Sequence, residues 1–141
     1  MDRSKAAVDL DTLQAVITHR YAVATAYARS LKVACATEIA ALRQRHREGT
    51  DLPTLRRLKR WLSSDPAALS DTDRVGLART LEHSKVLHQI YVMRQELAAL
   101  WGRSTESSEQ LLARLQDWCH RAEASGIAPL AQFSLKLKRY A

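Results

Sequence analysis

His83 and His88, the two histidines of the hexapeptide HSKVLH, are the residues whose type and spacing most suggest metal chemistry. Two imidazoles on one helix can hold the same ion when they are three or four residues apart. A spacing of five residues turns the second side chain about 140° away from the first. No Glu-x-x-His pair offers a substitute. We therefore predict no metal site and no cofactor in this chain.

Nucleophile and phosphate-binding motifs of the common enzyme classes are also missing from the sequence. It has no hydrolase elbow, no glycine-rich phosphate loop and no Cys/His nucleophile pattern. Asp71 and Asp73 stand at an expected helix start, where capping and interaction with the helix dipole explain them. We therefore assign no catalytic residue and expect that this chain alone is not an enzyme.

Positive charge is the most informative feature of the sequence. The chain has a net charge of +7, and residues 43–60 carry seven cations against Glu48 and Asp51, a local net charge of +5. We call these seven cations the basic corner: Arg43, Arg45, Arg47, Arg56, Arg57, Lys59 and Arg60. Such a corner can bind an anionic lipid surface or nucleic-acid phosphates, or it can be a solvated surface with some carboxylate partners. No aromatic residues alternate with these charges, which argues against stacking on single-stranded nucleic acid.

Length and composition predict one folded domain. With 141 residues, 46% of them hydrophobic, we expect a flexible tail over residues 1–10 and a single helical domain over residues 11–141. Cys35 and Cys119 are expected to be buried thiols in a reducing compartment, with a disulfide as the less favoured alternative. The N-terminal residues do not resemble a signal peptide, and no stretch is apolar enough to span a membrane. These features predict a cytoplasmic location, with peripheral binding at the inner membrane as a further option.

Hydrophobic periodicity predicts an all-α bundle of about five helices. Apolar residues recur about every 3.6 positions along the first pattern, which includes Tyr21, and this is the period of a helix with one buried face. The predicted helices cover approximately residues 11–47, 52–62, 71–101, 108–125 and 129–140. Asp9 or Asp11, Ser70 and Ser107 are the expected N-caps. The two long helices are expected to pair antiparallel.

The second half of the chain, from Gln89 onward, and the segment near its start resemble the C-terminal region of proteobacterial membrane fatty-acid and acyl-CoA desaturases, so the resemblance extends over nearly the whole chain. The likeness lies in VDLDTLQAVITHRYAVATAYARSL, in Tyr91 and Arg94 before LAALW, and in RAEASGI with Phe133 and the basic ending KLKRYA. Desaturases are oxidoreductases whose di-iron centre is held by histidine boxes between membrane helices, and this sequence has neither feature. The resemblance thus implies a non-catalytic C-terminal accessory domain, either a fragment or a free-standing relative, in unsaturated fatty-acid and lipid metabolism. It would dock to the catalytic domain, a partner protein or the anionic membrane surface through the basic corner.

A second resemblance is to the C-terminal helices of insertion-sequence transposases that use a DDE carboxylate site. It is carried by Tyr91, LAALW, Trp118 and SGI. It implies a helical fragment that contacts DNA, although no DDE triad can be assigned among the scattered carboxylates. A third interpretation is a helical interaction protein that dimerises through an exposed apolar stripe, which leaves a homo-oligomer open.

Overall fold

The structure, a computed structural model, describes residues 8–45, 55–64, 66–100 and 106–139. These ranges contain seven α-helices, a short 3₁₀ turn at Pro66–Ala68 and no β-strand, so the all-α prediction is confirmed. The helices are α1 (Leu10–Thr18), α2 (Arg20–Arg45), α3 (Leu55–Ser63), α4 (Asp71–Glu82), α5 (Lys85–Ala99), α6 (Ser108–Glu123) and α7 (Ala128–Leu137). Within the described ranges, no helix has both the length and the apolar character needed to cross a membrane.

The first long helix predicted from the sequence is divided into α1 and α2, which meet at His19. This residue is the C-cap of α1, with φ −105° and ψ 33°, although its amide still donates to the Ala15 carbonyl. Val23, four residues before the buried Tyr27, takes a buried position, and Tyr21, which periodicity assigned to the buried face, is 77% exposed. No glycine or proline marks the break, so periodicity alone could not reveal it.

The second long helix predicted from the sequence is divided into α4 and α5 because Ser84 starts a new helix. Ser84 is 3% exposed, and its Oγ accepts a hydrogen bond from the Leu87 amide at 3.2 Å, which is N-cap geometry. The same hydroxyl donates to Glu38 Oε1 at 2.9 Å. His83, the C-cap of α4, therefore lies between two helices rather than within one.

Side-chain caps confirm the predicted starts of three helices. Asp9, rather than Asp11, caps α1 by accepting a hydrogen bond from a first-turn amide at 2.9 Å, and this bond lowers the pKa of the Asp9 carboxyl. Ser70 Oγ accepts from the first turn of α4 at 3.1 Å. Ser107 and Gln110 form a complete capping box at the start of α6, with hydrogen bonds of 3.2 and 2.9 Å.

Contacts between residues divide the chain into two compact units. The first unit contains residues 1–31 and 92–141, and the second contains residues 32–91. The division into a flexible tail over residues 1–10 and a single domain over residues 11–141 stays a prediction.

The first unit is built around an aromatic cluster. Tyr27 packs edge-on against Phe133 with 5.1 Å between ring centroids, and Trp118 lies 6.0 Å from Phe133. Trp118 is buried, and its Nε1 donates to the Met93 carbonyl at 2.8 Å, so its polar group is satisfied. α6 packs on both α1 and α7, and Val8, directly before the cap of α1, is buried as well.

The core of the second unit is aliphatic around one tryptophan. Its buried members are Ile39, Leu42, Leu58, Trp61, Leu69, Leu77, Leu81 and Leu87. They come from α2, α3, α4 and α5 and from the segment between the 3₁₀ turn and α4. A helix as short as α3, with nine residues, is marginal by itself in water, so this core packing is what stabilises it.

Candidate nucleic-acid interface

α3 carries apolar and basic side chains on different faces. Leu58 and Trp61 are buried in the core of the second unit, and Leu62 packs against that core. The cationic face of α3, as we call it, consists of four exposed side chains: Arg56, Arg57, Lys59 and Arg60. The helix contains no acidic residue, so all of its own charged side chains are cations.

Arg60 has a carboxylate partner in α4. Its Nη2 donates to Asp73 Oδ2 at 3.3 Å, with 63% of the Arg60 side chain and 25% of the Asp73 side chain exposed. An exposed ion pair of this kind adds about 0–1 kcal/mol to stability. The pair therefore orients Arg60 while leaving it accessible to solvent.

The structure describes the side chains of five of the seven residues in the basic corner. Four of them form the cationic face of α3, and the fifth, Arg43, is exposed near the end of α2. The backbone of Arg45 belongs to α2, but its side chain and the whole of Arg47 lie outside the described residues. Arg43 follows Leu42, which is part of the same core as Leu58, so Arg43 and the cationic face belong to one compact unit.

Positive charges near the end of the chain are arranged differently. The side chain of Lys138 is 8% exposed, and its Nζ lies 2.7 Å from Glu123 Oε2. Ser134 Oγ donates to the same carboxylate at 2.7 Å. Lys136 and Arg139 are exposed. Lys138 thus forms a structural ion pair that joins α6 to the end of α7 and is not available as a surface charge.

A pocket of about 180 Å³ in the first unit is bordered by a charged network. Arg121 donates to both carboxylate oxygens of Glu96, and its Nε donates to Asp117 Oδ2 at 2.8 Å. Hydrogen bonding to Glu96 is the main reason that the pKa of Arg121 lies above its ordinary value. Arg114, which also lines the pocket, pairs with Glu106 at 2.8 Å. Because carboxylates match these cations, the pocket offers no excess positive charge to a phosphate.

His83 and His88 are both exposed and do not share a helix, since α4 ends at Glu82 and α5 begins at Lys85. The argument that they diverge by 140° on one continuous helix is therefore wrong. Across the part of the chain that the structure describes, no group of three or more His, Cys, Asp or Glu side chains could hold a metal ion. That the chain needs no cofactor stays a prediction.

Comparison with known protein families identifies the lineage of this helical chain. A family model described as Transposase, for DDE transposases of the ISL3 type, matches residues 12–141. The chain belongs to this transposase family. A search of curated proteins and a search of solved structures give no significant match.

Membership of the transposase family shows that the desaturase interpretation is wrong. This transposase-family chain is not a desaturase accessory domain. Nothing therefore supports the roles inferred from that resemblance, which were lipid metabolism and docking to a membrane enzyme or an anionic membrane. The misleading segments are packing and turn patterns. Leu97 and Leu100 of LAALW are buried, and Gly126 of SGI adopts a φ of 79° in the turn after α6. Such patterns recur in unrelated helical proteins, so they cannot choose between families.

Proposed function

We propose that this transposase-family chain contacts the phosphate backbone of DNA through the cationic face of α3, together with Arg43 of the same unit. One observation carries the proposal. Four cations and no carboxylate belong to a helix whose apolar side is buried in the core of the second unit. Membership of a transposase family makes DNA the natural polyanion for this surface.

Phosphate binding requires cations that reach the solvent and a support that holds several of them at once. The exposure of the four side chains meets the first requirement, and the burial of Leu58 and Trp61 meets the second. Each phosphate that is neutralised releases condensed counterions. A plot of the logarithm of the binding constant against the logarithm of the salt concentration therefore has a slope of about −0.9 per phosphate contact. Four contacts predict a slope of about −3 to −4 from this face.

The absence of an exposed ring on α3 favours backbone contact over base stacking. Trp61 is the aromatic residue of this helix, and it is 3% exposed. Binding to single strands usually depends on aromatic side chains against which successive bases stack. The cationic face is therefore suited to phosphates that are already held in a regular array by a duplex.

A pair of variants with equal charge tests the proposal. One replaces the four cations of the cationic face by glutamine, and the other replaces Arg29, Lys32, Lys136 and Arg139, which are exposed outside α3. Both lose the same formal charge. Binding of the full chain to a fluorescent duplex is measured by anisotropy from about 50 mM salt upward, where phosphate contacts are strongest.

In the first variant we expect the salt slope to become shallower by about 3 to 4. Its affinity near 50 mM salt should fall by on the order of 100-fold or more. The second variant should keep most of the wild-type slope. Equal losses in the two variants would mean that only net charge matters, and the assignment to α3 would fail. A wild-type chain that does not bind duplex DNA would remove the proposal altogether.

A further inference from the structure

We infer that Gly76 is a positioning residue for DNA binding, because it allows the ring of Trp61 to rest on the backbone of α4 and so fixes the cationic face. The inference rests on the proposed function. Gly76 itself is not assigned any contact with DNA, and it acts through the placement of α3.

The ring of Trp61 lies closer to α4 than a residue with a Cβ would permit. A Cβ added at Gly76 would lie 2.7 Å from Trp61 Cη2, 3.1 Å from Cζ3 and 3.5 Å from Cζ2. Carbon atoms in favourable contact are about 3.5–4.0 Å apart. The ring is rigid and Trp61 is 3% exposed, so a methyl group at this position would force α3 to move or the ring to leave the core.

Glycine in the interior of α4 needs a reason, because after proline it is the least favourable residue for a helix. Backbone conformation is not that reason. Among the described glycines the one with a positive φ is Gly126, not Gly76. The close approach of Trp61 is the feature that requires a residue without a side chain here.

Two neighbouring residues of α3 connect it to one side of α4. Arg60 pairs with Asp73 at 3.3 Å, and Trp61 rests on Gly76, three residues further along the same helix face. Among the described residues, Trp61 Nε1 has no hydrogen-bond partner. The ring is therefore oriented by packing, and a shift at Trp61 displaces the whole cationic face.

The test is Gly76→Ala in the full chain, with duplex affinity measured across a salt series. The substitution removes no charge. If it displaces the cationic face so that fewer phosphates are contacted at once, affinity should fall by roughly tenfold and the salt slope should shrink by about 1. A purely structural defect would lower the fraction of active protein without changing the slope.

Two further variants separate position from stability. Trp61→Phe combined with Gly76→Ala supplies a smaller ring, which leaves room for the added methyl group, and should restore most of the affinity and the slope. Ala78→Gly weakens α4 at an exposed position without adding an atom near Trp61, and should bind as the wild type does. Circular dichroism reports whether each variant is folded.

The outcomes distinguish this inference from the proposed function. If the cationic face binds DNA but Gly76→Ala keeps the wild-type affinity and slope, the inference fails and the proposed function stands. A loss of affinity with an unchanged slope, or no recovery with the smaller ring, overturns the inference too. If Gly76→Ala alone does not fold, the affinity and the salt slope of the double variant, Trp61→Phe with Gly76→Ala, decide. Absence of duplex binding by the wild type overturns the proposed function itself.

Discussion

Asp73 accepts a hydrogen bond from Arg60 across the contact between α3 and α4, with 3.3 Å between Oδ2 and Nη2. In the proposed DNA complex this carboxylate competes with phosphate for Arg60. Asp73→Asn should therefore raise duplex affinity severalfold and steepen the salt slope by up to about 1. Fluorescence anisotropy over a salt series measures both quantities.

Asp71→Asn is the matched control for that prediction. It makes the same change in formal charge in the same helix turn, but Asp71 is 98% exposed and pairs with Arg74 at 3.4 Å. We expect a smaller gain in affinity from it. If the two variants gained equally, net charge would explain the effect and the pairing with Arg60 would have no specific role.

Ser84 joins two hydrogen bonds at the start of α5, and Ser84→Ala should lower the free energy of unfolding by about 1–2 kcal/mol. The variant loses the acceptor for the Leu87 amide at 3.2 Å and the donor to Glu38 at 2.9 Å. Urea unfolding followed by circular dichroism measures the change. Ser108→Ala, at an exposed position in α6, should stay within about 0.5 kcal/mol of the wild type. A similar loss in both variants would argue against the cap.

Phe133 is 4% exposed and packs against both Tyr27 and Trp118, so Phe133→Ala should lower the free energy of unfolding by about 3–5 kcal/mol. A loss of that size is a large part of the stability of a small protein, so Phe133→Leu, with an expected loss of about 1.5 kcal/mol, gives a second measurement. Leu135→Ala in the same helix is the control, because Leu135 is 45% exposed. Equal effects at 133 and 135 would contradict the aromatic core.

Burial raises the pKa of the Cys35 thiol from 9.0 to about 11. In this pH range the folded chain keeps a proton that the unfolded chain has lost, so stability should fall as the pH rises above about 9. The difference in the free energy of unfolding between the wild type and Cys35→Ala should be largest below pH 9.0 and should shrink as the pH rises toward about 11. Urea midpoints of both proteins at several pH values isolate this group from the other titrating residues. A constant difference between the proteins would show that Cys35 is not buried in this way.

Local features of the fold could be predicted from the sequence because they depend on residues close together in the chain. Asp9, Ser70 and Ser107 cap their helices through first-turn amides, and these caps were predictable from residue type and spacing. The basic character of α3 was equally visible, since four cations and no acid occur in nine residues. The sequence by itself thus determined the all-α class and the chemical character of the candidate interface.

Contacts between distant residues were decided by the tertiary structure. Ser84 starts a new helix, and His19 ends α1, at sites with no glycine or proline. Tyr21, which periodicity assigned to the buried face, is exposed. Lys138 is withdrawn from the surface by Glu123, fifteen residues earlier. The contact between Trp61 and Gly76 likewise depends on how α3 lies against α4. Periodicity shows which side of a helix is apolar. How closely α3 approaches α4 depends on the residues of both helices, and this distance sets the position of the cationic face.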